Sequence, residues 1–425
     1  MSDNKRAVIV VCDSLRADLI NPEDTPFLVE LGERAARFAA HRSVFPSTTR
    51  ASSASIATGC YPARHGLLGN TMALDEGEGL VCRSAGAPDF RDRLRRATGR
   101  TLHVPTLAER LRRQGEVAVT CANVSPGAAY FQDPDGHGYV YHAAGSYGPG
   151  NRPVEDPASA ALTKGVAGDD AMTERFCREI VEERAPRLAL MWLSEPDYTG
   201  HHAPLGSPQH RRAIAAADAN VRRVWQAVRR LDPGGDDILF VAGSDHGMET
   251  VGEAIDVSGA LVSAGLKDAP DSRDVVVAPN GTAATVYFAA GATGRIGAVA
   301  QFLAAQPWAG RVFAGDALAE VALPTATPLR IAVTLAADDR INPHGVKGYG
   351  AIVLDPADPE SKIGFGQHGG LGANEQRPFL IVDGGGFARG VRRQASGLVD
   401  IAPTVLRHLG IGHNGMDGSA LPLSP

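Results

Sequence analysis

Three apolar runs of strand length in this chain each lead directly into an acidic residue. Residues 7–12 stop at Asp13, residues 187–193 lead into Ser194-Glu-Pro-Asp197, and residues 237–241 lead into Ala242-Gly-Ser-Asp245. Runs with no polar alternation belong to strands covered on both faces, as in parallel sheets flanked by helices. An open α/β fold with a mostly parallel sheet follows, and in such sheets ligands gather at the carboxyl ends of the strands. Each of these aspartates taken singly is also an ordinary turn residue. Their repetition gives them weight.

The intervening segments read accordingly. Residues 24–38 form a helix opened by Pro26, with Phe27, Leu28, Leu31 and Ala35 on one face, and residues 39–45 return as a strand. Helical spacing recurs over 104–113, 169–183, 208–231 and 400–409, and strands over 116–121 and 377–382. Residues 71–104 show no clear period and read as a flap. Residues 122–168, rich in Gly, Pro, Tyr and His, read as a long loop region where substrate selection is decided. From 256 to 363 the elements become short and loosely ordered. The expected organisation is a catalytic core of residues 1–255 and 364–425, with 256–363 an inserted cap subdomain.

Bulk composition narrows the function classes. With 44% hydrophobic and 21% charged residues over 425 positions, the chain is an ordinary globular protein. A balance of 42 Lys+Arg against 48 Asp+Glu leaves −6, which argues against a nucleic-acid polymer or an anionic membrane as partner. The five cysteines are scattered with no CxxC pair, and the first apolar run is too short for a secretory leader, so a cytoplasmic location is expected.

The chemistry-bearing residues sit at strand ends and tight glycine turns. Val44-Phe-Pro-Ser-Thr-Thr49 runs into the Ser/Ala/Ile pattern of a short buried helix, which puts a hydroxyl at a helix N-terminus. Free N–H groups there favour an anion, so the hydroxyl is positioned to attack a phosphate or sulfate. Collected with it are Asp13, Asp197, His201, Asp245, His246 and His368. Asp197 and His201 are four apart and can share a metal across one turn. A mixed Asp/His shell suits Zn²⁺ first and Mn²⁺ next. Two such ions about 4 Å apart would activate the attacking hydroxyl and neutralise the leaving oxygen.

Val-Val-Cys-Asp13, Phe-Pro-Ser-Thr-Thr49, Thr-Gly-Cys-Tyr-Pro-Ala-Arg-His-Gly66, Glu-Pro-Asp197-Tyr-Thr-Gly-His201, Ser-Asp245-His246-Gly-Met and Gln-His368-Gly-Gly, in this order, resemble the alkaline phosphatase superfamily. Within it the chain is similar to the threonine-nucleophile branch of nucleotide pyrophosphatase/phosphodiesterases and phosphonoacetate hydrolase. The resemblance implies a three-layer α/β sandwich and two metal ions. Asp197, His201 and His368 would hold one ion, and Asp13, Asp245, His246 and Thr49 the other. It further implies that Thr49 is the nucleophile, passing through a phospho-threonine, and that Asn70 stabilises the phosphoryl oxygens. The implied activity is hydrolysis of phosphoric esters or anhydrides, on a small anionic phosphoester or phosphonate. The assembly state is open between monomer and homodimer.

Two departures bear on substrate. Nucleotide-cleaving members carry an aromatic after the nucleophile, where this chain has Arg50, a residue able to hold a second anionic group. The lysine pair of phosphonoacetate hydrolases has no counterpart in residues 121–130. Phosphonate C–P hydrolysis and phosphomonoesterase activity stand as alternatives, followed by a non-catalytic anion-binding protein. Cys60-Tyr-Pro62-Ala-Arg64 fits the C-x-P-x-R pattern that sulfatases modify, but it lies downstream of the nucleophile position.

Overall fold

The computed structural model describes residues 5–356 and 362–424. Its centre is the strand Arg6–Cys12, paired in parallel with Ile238–Gly243 on one side and Leu188–Leu193 on the other. The three runs that precede the aspartates therefore lie side by side, and their carboxyl ends share one edge. Alternation along the central strand divides the core. Ala7, Ile9 and Val11 pack against the helices Thr49–Thr58, Leu107–Arg112 and Ile401–His408, whereas Val8, Val10 and Cys12 pack against Pro26–Arg34, Val166–Arg175 and Pro208–Leu231. Helices on both faces make three layers, and burial on both faces is why the runs lack polar residues.

Among the described residues this sheet has ten strands. From the centre it continues through Leu380–Asp383, Ala36–Arg42 and Gly390–Gly397 on one flank, and through Ala118–Ala122, Tyr139–Tyr141, Ser146–Gly148 and Arg152–Val154 on the other. Leu380–Asp383 runs antiparallel to both neighbours, so the sheet is mostly rather than wholly parallel. Residues 122–168 are thus not only loop, since three of their short strands extend the sheet. Single residues alternate too briefly in strands of three to reveal a period. Residues 71–104 likewise fold as a hairpin, Thr71–Asp75 with Leu80–Ser84, followed by the helix Phe90–Thr98.

The first helix is shorter than its periodicity implies. It ends at Arg34, and Ala36–Arg42 is already a strand, with Ala36, Phe38 and His41 inward and Arg37, Ala39 and Arg42 exposed. Ala35 and Phe38 fit either period, and pairing with two neighbouring strands decides for the sheet. The helix N-terminus is also capped from afar. Thr25 makes no side-chain cap, and the Phe27 and Leu28 N–H groups donate instead to the two carboxylate oxygens of Asp218, at 3.1 and 2.7 Å, from the long helix Pro208–Leu231.

Residues beyond 255 build a second, antiparallel sheet, Val275–Asn280, Ala283–Phe288, Leu329–Leu335 and Ala309–Ala314, backed by the helix Ile296–Ala304. A third sheet ties this region to the chain on either side of it. Lys347–Val353 pairs in parallel with Glu249–Ile255, which pairs in turn with Gly366–Gln367. Residues 357–361 of the 256–363 segment lie outside the described residues. No helix among the described residues is long and apolar enough to cross a membrane.

Asp218→Ala removes a charged acceptor from two buried N–H groups at a helix N-terminus, and its expected cost is about 2 kcal/mol in denaturant unfolding. Asp218→Asn keeps one acceptor oxygen and is expected to lose about half as much. A loss for the alanine variant below about 0.5 kcal/mol would show that the cap contributes little.

Candidate active site

The strand ends converge as the sequence pattern requires. Asp13 follows the central strand directly, and its Oδ2 accepts from the Trp192 indole at 3.1 Å, which fixes the carboxylate and leaves Oδ1 buried without a donor. Asp245, two residues beyond Ile238–Gly243, accepts the Ser14 N–H on Oδ1 at 3.2 Å. Its Oδ2 lies 3.0 Å from His246 Nε2, without hydrogen-bond geometry. That same Nε2 is 3.6 Å from Asp13 Oδ1 and 3.2 Å from Thr49 Oγ1. Two carboxylate oxygens, an imidazole nitrogen and a hydroxyl therefore face one point.

A second cluster adjoins the first. Asp197 Oδ1 is 3.3 Å from His201 Nε2 and 3.6 Å from His368 Nε2. The ring orientations are set from behind, because His201 Nδ1 donates to the Gly366 carbonyl at 3.0 Å and His368 Nδ1 to the Ser47 carbonyl at 2.8 Å. A carbonyl only accepts, so each Nδ1 carries a proton and each Nε2 faces Asp197. His246 Nδ1 reaches the Gly247 carbonyl at 3.1 Å in the same way. Its ring stacks on that of His368 with centroids 3.7 Å apart, so His246 borders both clusters. The ligand atoms of Asp13, Asp245 and His246 form one compact group, and those of Asp197, His246 and His368 another.

Burial gives these charges their force. Burial, then the neighbouring Asp245 and Asp197 carboxylates, push the Asp13 carboxyl well above the usual range. Burial acts on Asp197 in the same direction, but His201, His368 and His246 outweigh it and hold that carboxyl ionised. Burial and the adjacent His246 keep His368 neutral. Carboxylates and imidazoles aimed at common points, with donor-free oxygens among them, are the donor set of divalent cations.

Thr49 opens the helix Thr49–Thr58, so its hydroxyl stands at the positive end of the helix dipole. The Arg50 N–H donates to Asn70 Oδ1 at 3.2 Å, which turns the Asn70 amide nitrogen outward as a donor. Asn70 is set by Asn280, whose Oδ1 accepts the Asn70 N–H at 2.7 Å. A Cβ on Gly69 would lie 2.3 Å from that oxygen, so only glycine fits there. Asp13, Thr49, Arg50, Asn70, Asp197, His201 and His368 all line one cavity of about 490 Å³. Asp245 and His246 are fully buried beneath it. Cys60 lies at the far end of the Thr49–Thr58 helix, with its thiol toward the Gly415 carbonyl and away from the cavity.

Four further residues were not singled out by the sequence pattern. Ser14, at a left-handed φ of 61°, donates to Asp197 Oδ1 at 2.6 Å and contacts His246 Nδ1 at 3.0 Å, linking the two clusters. Asp169 accepts from the Ser194 and Glu195 N–H groups and fixes the turn leading to Asp197. Glu375 accepts from the N–H groups of Gly369, Gly370 and Gly372 and fixes the loop carrying His368. Lys164 lines the cavity from the 122–168 region. Only Ser14, adjacent to Asp13, carried a local signal. The others are distant in sequence from the groups they serve.

In chelator, Asp13→Asn is expected to raise the melting temperature above that of the unsubstituted chain, because one buried negative charge is removed from beside two others. Folding raises the Asp13 pKa, so stability contributed by its protonation is present at low pH and is lost as pH rises through the folded value. The advantage of the variant should therefore grow with pH. An Asp13→Asn chain that melts lower throughout would show that the carboxylates do not repel.

The family model for type I phosphodiesterase / nucleotide pyrophosphatase matches residues 7–307. Among solved structures, murine ectonucleotide pyrophosphatase/phosphodiesterase 5, in an inactive threonine-to-alanine form in complex with AMP, superposes with a TM-score of 0.70 at 16% identity, over 98% of this chain and 97% of that one. The human counterpart gives a TM-score of 0.64 at 15% identity, over 98% and 97%. At such identities the likeness is one of fold. No curated protein matches the chain by sequence.

Proposed function

The chain belongs to the type I phosphodiesterase / nucleotide pyrophosphatase family of metal-dependent phosphoester hydrolases, and from that premise we propose that it cleaves phosphoric diesters or anhydrides through Thr49 and two zinc ions. The observation that carries this reading is the position of Thr49 Oγ1, at a helix N-terminus and 3.2 Å from His246 Nε2, facing the donor-free oxygens of Asp13 and Asp245. Asp13, Asp245, His246 and Thr49 would hold one ion, and Asp197, His201 and His368 the other. When bound, the pair supplies positive charge beside both the attacking and the departing oxygen. Zinc is favoured over manganese by the three imidazoles, and an all-oxygen shell would have favoured magnesium.

The chain's own groups divide the remaining work. Thr49 Oγ bonds to phosphorus as the bond to the departing alcohol breaks, giving a phospho-threonine that water then hydrolyses. The Asn70 amide donates to a phosphoryl oxygen and strengthens its hold as charge builds there. Trp192 and Ser14 keep the Asp13 and Asp197 carboxylates in place, so little reorganisation accompanies the reaction. Residues 279, 281 and 352–355 border the cavity, which supports reading 256–363 as a cap over the site. Five unpaired cysteines support a reducing, cytoplasmic setting.

The expected result is faster hydrolysis of bis-p-nitrophenyl phosphate than of p-nitrophenyl phosphate, with both lost in chelator. A preference for the monoester would overturn the diesterase reading. Thr49→Ala is expected to lower kcat by about a thousandfold or more while about two zinc ions per chain stay bound. Activity surviving in that variant would remove Thr49 as the nucleophile.

A further inference from the structure

Arg50 and Lys164 line the active-site cavity together with Asp13, Asp197, Asp355 and Lys362, and among the described residues neither Arg50 nor Lys164 forms an ion pair with a carboxylate. Arg50 Nε donates to Ser125 Oγ at 2.9 Å, and no described acidic group forms an ion pair with the guanidinium. Gly86 lies flat against it, since a Cβ there would stand 2.7 Å from Nη2. Gly86 is itself pressed into place, because a Cβ on Gly127 would strike the Ala85 carbonyl at 1.8 Å. The slot and the Ser125 hydroxyl fix the guanidinium within the cavity. Lys164 reaches the same cavity, and its ammonium donates to the Asn123 and Val124 carbonyls, which leaves one of its three N–H groups over. Packing around the ammonium pushes Lys164 down to about 8 against the pull of Asp169, Asp13 and Asp197, although the residue as a whole is exposed.

Two cations lining the cavity, each held by hydrogen bonds to uncharged oxygens and neither in an ion pair with a described carboxylate, present N–H donors and positive charge to an anion that arrives with the substrate. Because the metal clusters and Asn70 already serve the reacting phosphoryl group, the pair is free for a different one. Resting on the hydrolase reading above, we propose that Arg50 and Lys164 form a second anion subsite, and that the natural substrate carries a carboxylate, phosphate or phosphonate close to the scissile phosphoryl group. A guanidinium fork and an ammonium suit such a group.

Three esters that all release p-nitrophenolate test this on the zinc-loaded full chain. They are p-nitrophenyl methylphosphonate, its carboxymethylphosphonate analogue and its phosphonomethylphosphonate analogue, which differ only in the second group. The expected kcat/KM for at least one anion-bearing ester is about tenfold or more above that for the methyl ester, and the better of the two identifies the anion. Arg50→Gln and Lys164→Gln should each shrink that ratio about tenfold, and Lys164→Arg should restore part of it. Zinc content and melting temperature check that the variants are folded. Cleavage of the methyl ester with no gain from either anion, or equal losses on all three esters in the variants, overturns the subsite and leaves the hydrolase reading intact. No cleavage of any ester, nor of bis-p-nitrophenyl phosphate, by the zinc-loaded chain overturns both.

Discussion

The charge on Asp13, Asp197 and Asp245 is the constraint around which this molecule is arranged. Three carboxylates at the ends of adjacent parallel strands cannot be buried together in their ionised form unless positive charge joins them. Asp197 obtains part of that charge from the surrounding histidines, whereas Asp13 is left strained by its two neighbours. The site is therefore built in a state that only cations complete. Asp13 Oδ1 and Asp245 Oδ2 are left without a protein donor, and backbone carbonyls at Gly366, Ser47 and Gly247 orient the three imidazole rings.

Holding these groups falls to residues that never reach the cavity. Asp169 ties the turn before Asp197, and Glu375 gathers three successive loop N–H groups beneath His368, each a buried carboxylate compensated by backbone donors. Such acids convert floppy glycine turns into fixed platforms, and a metal or phosphoryl site requires placement within a fraction of an ångström. The same cavity also carries the half-buried Arg50 and the exposed Lys164, neither of them in an ion pair with a described carboxylate.

Much of the candidate site was legible in the chain itself. Each of Asp13, Asp197, His201, Asp245, His246 and His368 follows an unbroken apolar run or sits in a glycine turn, and strand ends in an α/β sheet share one edge whatever the loops do. The Pro208–Leu231 helix was visible because its period persists over six turns. The end of the first helix was not, because Ala35 and Phe38 satisfy both a helical and a strand period, and cross-strand pairing chose between them. The strands within 122–168 stayed hidden because three residues cannot display alternation and depend on a neighbouring edge to form at all.

What the sequence determined by itself was the type of sheet, the identity of the groups at its carboxyl edge and the hydroxyl at the head of the Thr49 helix, since these follow from local patterning and from the period of a strand. What only the tertiary structure decided was which partner each group faces. Ser14 standing between Asp197 and His246, Asp218 capping a helix 190 residues away and Lys164 reaching the cavity that Arg50 lines all depend on contacts between distant segments. Such contacts are fixed by packing and long-range burial of charge, and neither leaves a periodic trace along the chain.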